Sequence, residues 1–172
     1  MIVALRNMSA TNKVVFLDRD GVVNHDPGDY TASVDDFRFL PGVLDTLKSW
    51  TEMGFSFIVV TNQGGIARGR YTLEDFSRID KKMRDAFRDS GIAYLETYYC
   101  THHDLVGKCL CRKPLPGMLE KAIARHKVDR RHAFMIGDKD RDVAAAEAAG
   151  IRGVKIPTNG GLATIDPNEV IR

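Results

Sequence analysis

The chain has 172 residues, 25 Lys+Arg against 23 Asp+Glu, and a net charge of +2. That length suits one domain able to bury roughly 70% of its unfolded surface, and the even charge balance argues against nucleic acid or an anionic membrane as the main partner. No apolar run approaches the ~18 residues of a membrane span, and the first residues lack the pattern of a secretory signal, so a cytoplasmic protein is expected.

Residues 1–12 show no sustained period and read as an N-terminal arm. Val14 to Leu17 are four consecutive apolar residues, two of them β-branched and adjacent, as in a strand buried on both faces of a parallel sheet. That strand runs into Asp18-Arg19-Asp20-Gly21, which places two carboxylates where ligands bind in open α/β sheets, although Asp and Gly also suit an ordinary turn. His25 to Tyr30 is turn-rich and reads as a flap before Pro41-Gly42 opens a helix, whose apolar face is Val43, Leu44, Leu47 and Trp50.

Phe55 to Val60 is a second buried strand, ending in Thr61-Asn62-Gln63-Gly64-Gly65. Hydroxyl, amides and glycines in a row offer neutral donors and close backbone approach to a phosphate, though a plain loop has the same composition. Thr72 is an N-cap for a helix carrying Leu73, Phe76, Ile79, Met83 and Phe87 on one face. Leu95 to Cys100 forms a third strand.

All three cysteines lie between positions 100 and 111. Cys100-x-His102 followed by Cys109-x-Cys111 supplies four ligands for a tetrahedral structural zinc, a reading favoured over three merely buried thiols. Such a site would stabilise the loop and aim Arg112 and Lys113 inward. Pro116 opens a third helix with Met118, Leu119, Ala122 and Ile123 inward, and His126 near its end reads as a surface residue. Ala133 to Ile136 is a fourth strand, and Gly137-Asp138 brings another carboxylate to the same edge. Val143 to Ala149 is an Ala-rich helix and Gly153 to Ile156 a fifth strand. Residues 158–172 read as a short, loop-like tail. The alternation predicts one doubly wound α/β domain over 13–157 with a mostly parallel sheet, a zinc loop at 100–111 and no large cap domain.

In this order, Asp18-x-Asp20-Gly21, Thr61-Asn62, Lys113 and Gly137-Asp138-x-x-x-Asp142 resemble the four motifs of the haloacid dehalogenase (HAD) superfamily of Mg-dependent phosphatases. Together with Gly65-Ile-Ala-Arg68-Gly69, the zinc ligands and Arg112-Lys113-Pro114, they are similar to the D-glycero-D-manno-heptose 1,7-bisphosphate 7-phosphatase family, which shares its zinc loop with the histidinol-phosphate phosphatases. The resemblance implies a phosphoric monoester hydrolase serving cell-surface heptose biosynthesis. Asp18 would be the nucleophile and Asp20 the general acid and base. Thr61 and Lys113 would stabilise the transferring phosphoryl group, and Mg²⁺ would be held by Asp18, Asp20 and Asp138.

Asp142 would orient Lys113 or cap the following helix. The resemblance places substrate contacts at Asp26, Gly28, Asp29, Asn62, Gln63, Arg112 and Lys139, with the planar fork of Arg112 suited to a second phosphate. It implies a small phosphorylated sugar as partner, and a monomeric protein is expected. Histidinol phosphate, another small phosphomonoester, a DNA 3′-phosphate, or a non-catalytic zinc module stand as alternatives. Val22 and Gly64 depart from the Thr and Ser frequent at those places in the family.

Overall fold

The computed structural model describes residues 13–171, so the expected arm at 1–12 lies outside the described residues. Five strands, β1 (Lys13–Leu17), β2 (Phe55–Asn62), β3 (Tyr94–Cys100), β4 (Ala133–Gly137) and β5 (Arg152–Lys155), form one all-parallel sheet in the order β3-β2-β1-β4-β5. Helices α1 (Val43–Glu52) and α2 (Leu73–Asp89) make the crossovers toward β3, and α3 (Gly117–His126) and α4 (Asp140–Ala148) those toward β5.

Alternation along β1 divides the core. Val15 and Leu17 face Leu47, Trp50, Ile79, Met83 and Phe87 of α1 and α2. Val14 and Phe16 face Met118, Leu119, Ala122 and Ile123 of α3 and Ala145 and Ala146 of α4. Because both faces are covered, β1 reads as an uninterrupted apolar run. The chain reverses its direction of growth at β1, so a crevice opens beyond the carboxyl ends of β1 and β4. Leu17 is paired with Ile136, and the Asp18 amide donates to the Ile136 carbonyl at 2.9 Å, which sets Asp18 beside the end of β4.

The elements expected from periodicity form, with shifted ends. α4 starts at Asp140, three residues before the Ala-rich run, because the Asp142 carboxylate accepts from the Lys139 amide at 3.0 Å and closes the first turn. The 158–172 tail is more than a loop. Leu162 is buried in the core, the helical turn α5 (Pro167–Val170) follows, and Asn159 donates from its amide to the Gly21 carbonyl at 3.0 Å. His126 is tied to Glu96 at 2.9 Å. The flap is fastened at its base by His25 donating to Arg38 and Leu40 donating to Val23.

α2 begins with a reciprocal capping box, in which Thr72 Oγ1 accepts from the Asp75 amide and Asp75 accepts from the Thr72 amide. Thr72→Ala is expected to destabilise the protein by about 1 kcal/mol, measurable by urea denaturation, while Ser at the same position retains most of the stability.

Candidate active site

Four segments end at the crevice and share one buried cation. Lys113 Nζ lies 2.9 Å from Asp18 Oδ1 and 2.7 Å from Asp142 Oδ1, and donates to the Val60 carbonyl at 2.7 Å. Burial pushes the Lys113 ammonium toward neutrality, but the two carboxylates outweigh it and hold its pKa above the ordinary lysine value. Asn62 fixes the lysine backbone, its Nδ2 donating to the Lys113 carbonyl and its Oδ1 accepting from the Lys113 amide, both at 3.0 Å. The Lys113–Pro114 peptide bond is cis.

Carboxylate oxygens of Asp18, Asp138 and Asp142 lie within 4.8 Å of one another. Asp138 Oδ2 accepts from Thr158 at 2.7 Å and is 2.8 Å from Lys139 Nζ, whereas its buried Oδ1 has no protein partner. An oxygen-only donor set that includes the unpartnered Asp138 Oδ1 fits a hard divalent cation. Gly21 completes this wall. It adopts φ +83°, and a Cβ there would come within 2.6 Å of Asp138 Oδ2, so only glycine lets the first motif lie against the β4 end.

The two carboxylates of the first motif live in different places. Asp18 is buried beneath the cleft, and burial, with Asp142 and Asp20 adding to it against Lys113, pushes its pKa up to about 7. Asp20 lines the cleft. Its carboxylate accepts from Arg19 Nη2 at 2.9 and 3.0 Å, Asn24 Nδ2 at 3.0 Å, Thr31 Oγ1 at 3.0 Å and Gln63 Nε2 at 3.0 Å. Burial raises its pKa, but Arg19, Asn24 and Gln63 prevail and hold it below the usual carboxylate value. Thr61 is buried and its Oγ1 accepts from Gln63 Nε2 at 2.8 Å.

The cleft holds about 220 Å³. Of the substrate-contact candidates, Asp26, Asp29, Asn62, Gln63 and Arg112 line it. Asp26 caps the flap turn by accepting from the Gly28 amide at 2.9 Å and lies 3.6 Å from Lys139, while Asp29 pairs with Arg70 at 3.0 Å. Tyr30, Thr31, Tyr71, His103 and Arg141 also line the cleft and escaped the sequence reading, since no spacing marks them and their convergence depends on the flap folding over.

The cysteine segment closes into a cluster of four ligand atoms within 4.8 Å of one another. Sγ–Sγ distances among Cys100, Cys109 and Cys111 are 3.2, 3.6 and 3.7 Å, and His102 Nδ1 lies 3.6 and 3.4 Å from Cys100 and Cys111. Disulfides need about 2.05 Å, whereas four ligands around zinc at ~2.3 Å stand about 3.8 Å apart. His103 turns away into the cleft wall and accepts from the Leu105 amide. Arg112, next after Cys111, donates from Nη1 to the His102 carbonyl at 3.0 Å. A side chain on Gly64 would meet that guanidinium at 3.0 Å, so the missing Cβ leaves Arg112 its place.

The chain is similar to known proteins over most of its length. The chain is 41% identical over 160 residues to the D-glycero-beta-D-manno-heptose-1,7-bisphosphate 7-phosphatase of Yersinia pestis, covering 90% of this chain and 84% of that one. It belongs to that phosphatase family. The Escherichia coli K12 protein of the same name is 39% identical over 160 residues, covering 90% of this chain and 83% of the relative. A HAD-hydrolase-like family model matches residues 110–165. The crystal structure of the D,D-heptose 1,7-bisphosphate phosphatase from B. bronchiseptica, complexed with magnesium and phosphate, superposes with a TM-score of 0.77 at 37% identity, covering 82% of this chain and 78% of that one. Membership in this phosphatase family makes the chain a HAD hydrolase acting on phosphoric monoesters.

The raised pKa of Asp18 has a direct consequence for stability. An unfolded-chain carboxyl ionises near 3.8 and the folded one near 7, so between those values the folded state retains a proton the unfolded state has lost, and stability falls as pH rises. Without added divalent ion, wild-type protein should lose more stability from pH 5 to pH 8 than Asp18→Asn in parallel denaturant titrations. Identical slopes would remove Asp18 as the source.

Proposed function

We propose that the chain hydrolyses the 7-phosphate of D-glycero-D-manno-heptose 1,7-bisphosphate through an aspartyl-phosphate on Asp18. The observation that carries this reading is the division between the two carboxylates, Asp18 buried against Lys113 and Asp20 on the cleft wall. In an in-line displacement the leaving oxygen departs on the side opposite the nucleophile, toward the cleft. Asp18 attacks phosphorus, the bond to the sugar oxygen breaks, and Asp20 gives that oxygen a proton. Asp20 then takes a proton from the water that attacks phosphorus, releasing phosphate and restoring Asp18. In the free site Asp20 is held ionised; the arriving phosphate dianion raises its pKa and favours the protonated form.

Thr61 and the Lys113 ammonium stabilise charge on the transferring group. Asp18, Asp138 and the Asp20 carbonyl would hold Mg²⁺, which when bound neutralises the repulsion between nucleophile and phosphate. Asp142 keeps Lys113 in place. Zn²⁺ at Cys100, His102, Cys109 and Cys111 is structural, because four protein ligands leave no position for water. The cleft groups Asp26, Asp29, Asn62 and Gln63 shape the sugar site, supported by Gly28 and Lys139, which do not line the cleft but contact Asp26, and Arg112 takes the 1-phosphate. The domain of residues 13–157, with the following tail packed into it, works as a monomer in the cytoplasm, on a small sugar phosphate and not on nucleic acid; no described helix is long and apolar enough to cross a membrane.

Arg112→Ala should lower kcat/KM on heptose 1,7-bisphosphate by about 10- to 150-fold, the worth of a charge-assisted contact, and leave heptose 7-phosphate much less affected. Equal losses would exclude second-phosphate recognition. The metal assignments predict one zinc per purified chain that survives mild chelation, with activity lost on removing Mg²⁺ and restored by returning it. Active protein containing no zinc would overturn the four-ligand site.

A further inference from the structure

Asp20 is braced through the side chain of Gln63. Gln63 is buried, and its Nε2 uses both hydrogens at once, one on Asp20 Oδ2 at 3.0 Å and one on Thr61 Oγ1 at 2.8 Å. A single amide thus spans the proton donor and the hydroxyl of the phosphoryl pocket. Its far end, Oε1, accepts from the Tyr71 hydroxyl at 2.6 Å. An amide presents two nearly isosteric faces, and the wrong one would set a carbonyl oxygen against the Asp20 carboxylate. The Tyr71 O–H selects the face that donates to Asp20.

Tyr71 is well placed for this. Its ring is buried and packs on Tyr30 of the flap at a centroid distance of 5.8 Å. A Cβ on Gly65 would overlap the Tyr71 ring, so the chain reserves that space for the aromatic ring. Burial holds the phenol well above its ordinary pKa, so it keeps its proton as a donor.

We propose that Tyr71, acting through Gln63, is a positioning residue that holds Asp20 in register with the phosphoryl pocket for proton delivery to the leaving oxygen. This rests on the phosphatase reading above but not on the identity of the sugar. If Tyr71 serves proton delivery, its loss must hurt most when the leaving group needs a proton. Tyr71→Phe keeps the ring and removes only the hydroxyl.

The test compares phenyl phosphate, a poor leaving group, with p-nitrophenyl phosphate, a good one, under saturating Mg²⁺ and with zinc content and melting temperature checked. Tyr71→Phe should lower kcat/KM on phenyl phosphate by roughly 3- to 10-fold, as expected for one neutral hydrogen bond, and on p-nitrophenyl phosphate clearly less. Introduced into Gln63→Leu, the same change should add little further loss on phenyl phosphate. Equal losses on both esters, no loss on either, or full additivity with Gln63→Leu would each overturn the inference. Because neither ester carries a sugar, failure of the heptose assignment would leave this result standing.

Discussion

The site hangs on one buried ammonium. Lys113 Nζ joins Asp18 after β1, Val60 in β2 and Asp142 in α4, three segments with no sequence proximity. Burying a lysine is unfavourable unless its charge is matched and its hydrogens are used. Here three acceptors at 2.7 to 2.9 Å meet that demand. The same lysine allows two carboxylates to remain close in a water-poor place. Without it burial and their repulsion would push the Asp18 pKa further above about 7. Stability and chemistry therefore draw on the same contacts.

The cysteine loop explains how such a lysine is delivered. Lys113 precedes α3 at the end of a long excursion beyond β3, where no regular element holds the backbone. Three thiols and one imidazole gather within 4.8 Å of one another, ending two residues upstream, and the Asn62 amide clamps Lys113 from β2. Arg112, between these fixed points, has little choice but to face the cleft. A site with four protein ligands contributes folding energy without competing for the substrate.

The cleft owes its shape to the flap and the tail together. Asn159 is held at φ 62° and exchanges two hydrogen bonds with the Asp26 backbone, at 2.8 and 3.0 Å. The tail thereby carries the flap toward Lys139 and Thr158, which in turn contact Asp138. Asp26 and Asp138 are thus linked through a segment that composition alone describes as a loop.

Much was legible in the amino-acid order because burial dictates it. A strand covered on both faces must be apolar throughout, so β1, β2 and β4 stand out, and the carboxylates that terminate β1 and β4 must emerge at one edge of a parallel sheet. The cluster of Cys100, His102, Cys109 and Cys111 was legible because its members lie within twelve positions. Tertiary structure alone decided the rest. That Asp18 is buried while Asp20 lines the cleft cannot follow from their spacing, since both belong to one short loop. Which histidine joins the cysteines, where the Asn62 and Gln63 amides are used, and the arrival of Tyr30, Tyr71 and Arg141 at one cleft depend on how the flap, tail and loop pack. Hydrophobic periodicity reports which face of an element meets the core; it is silent on polar contacts between residues far apart in the chain, and those contacts make this site.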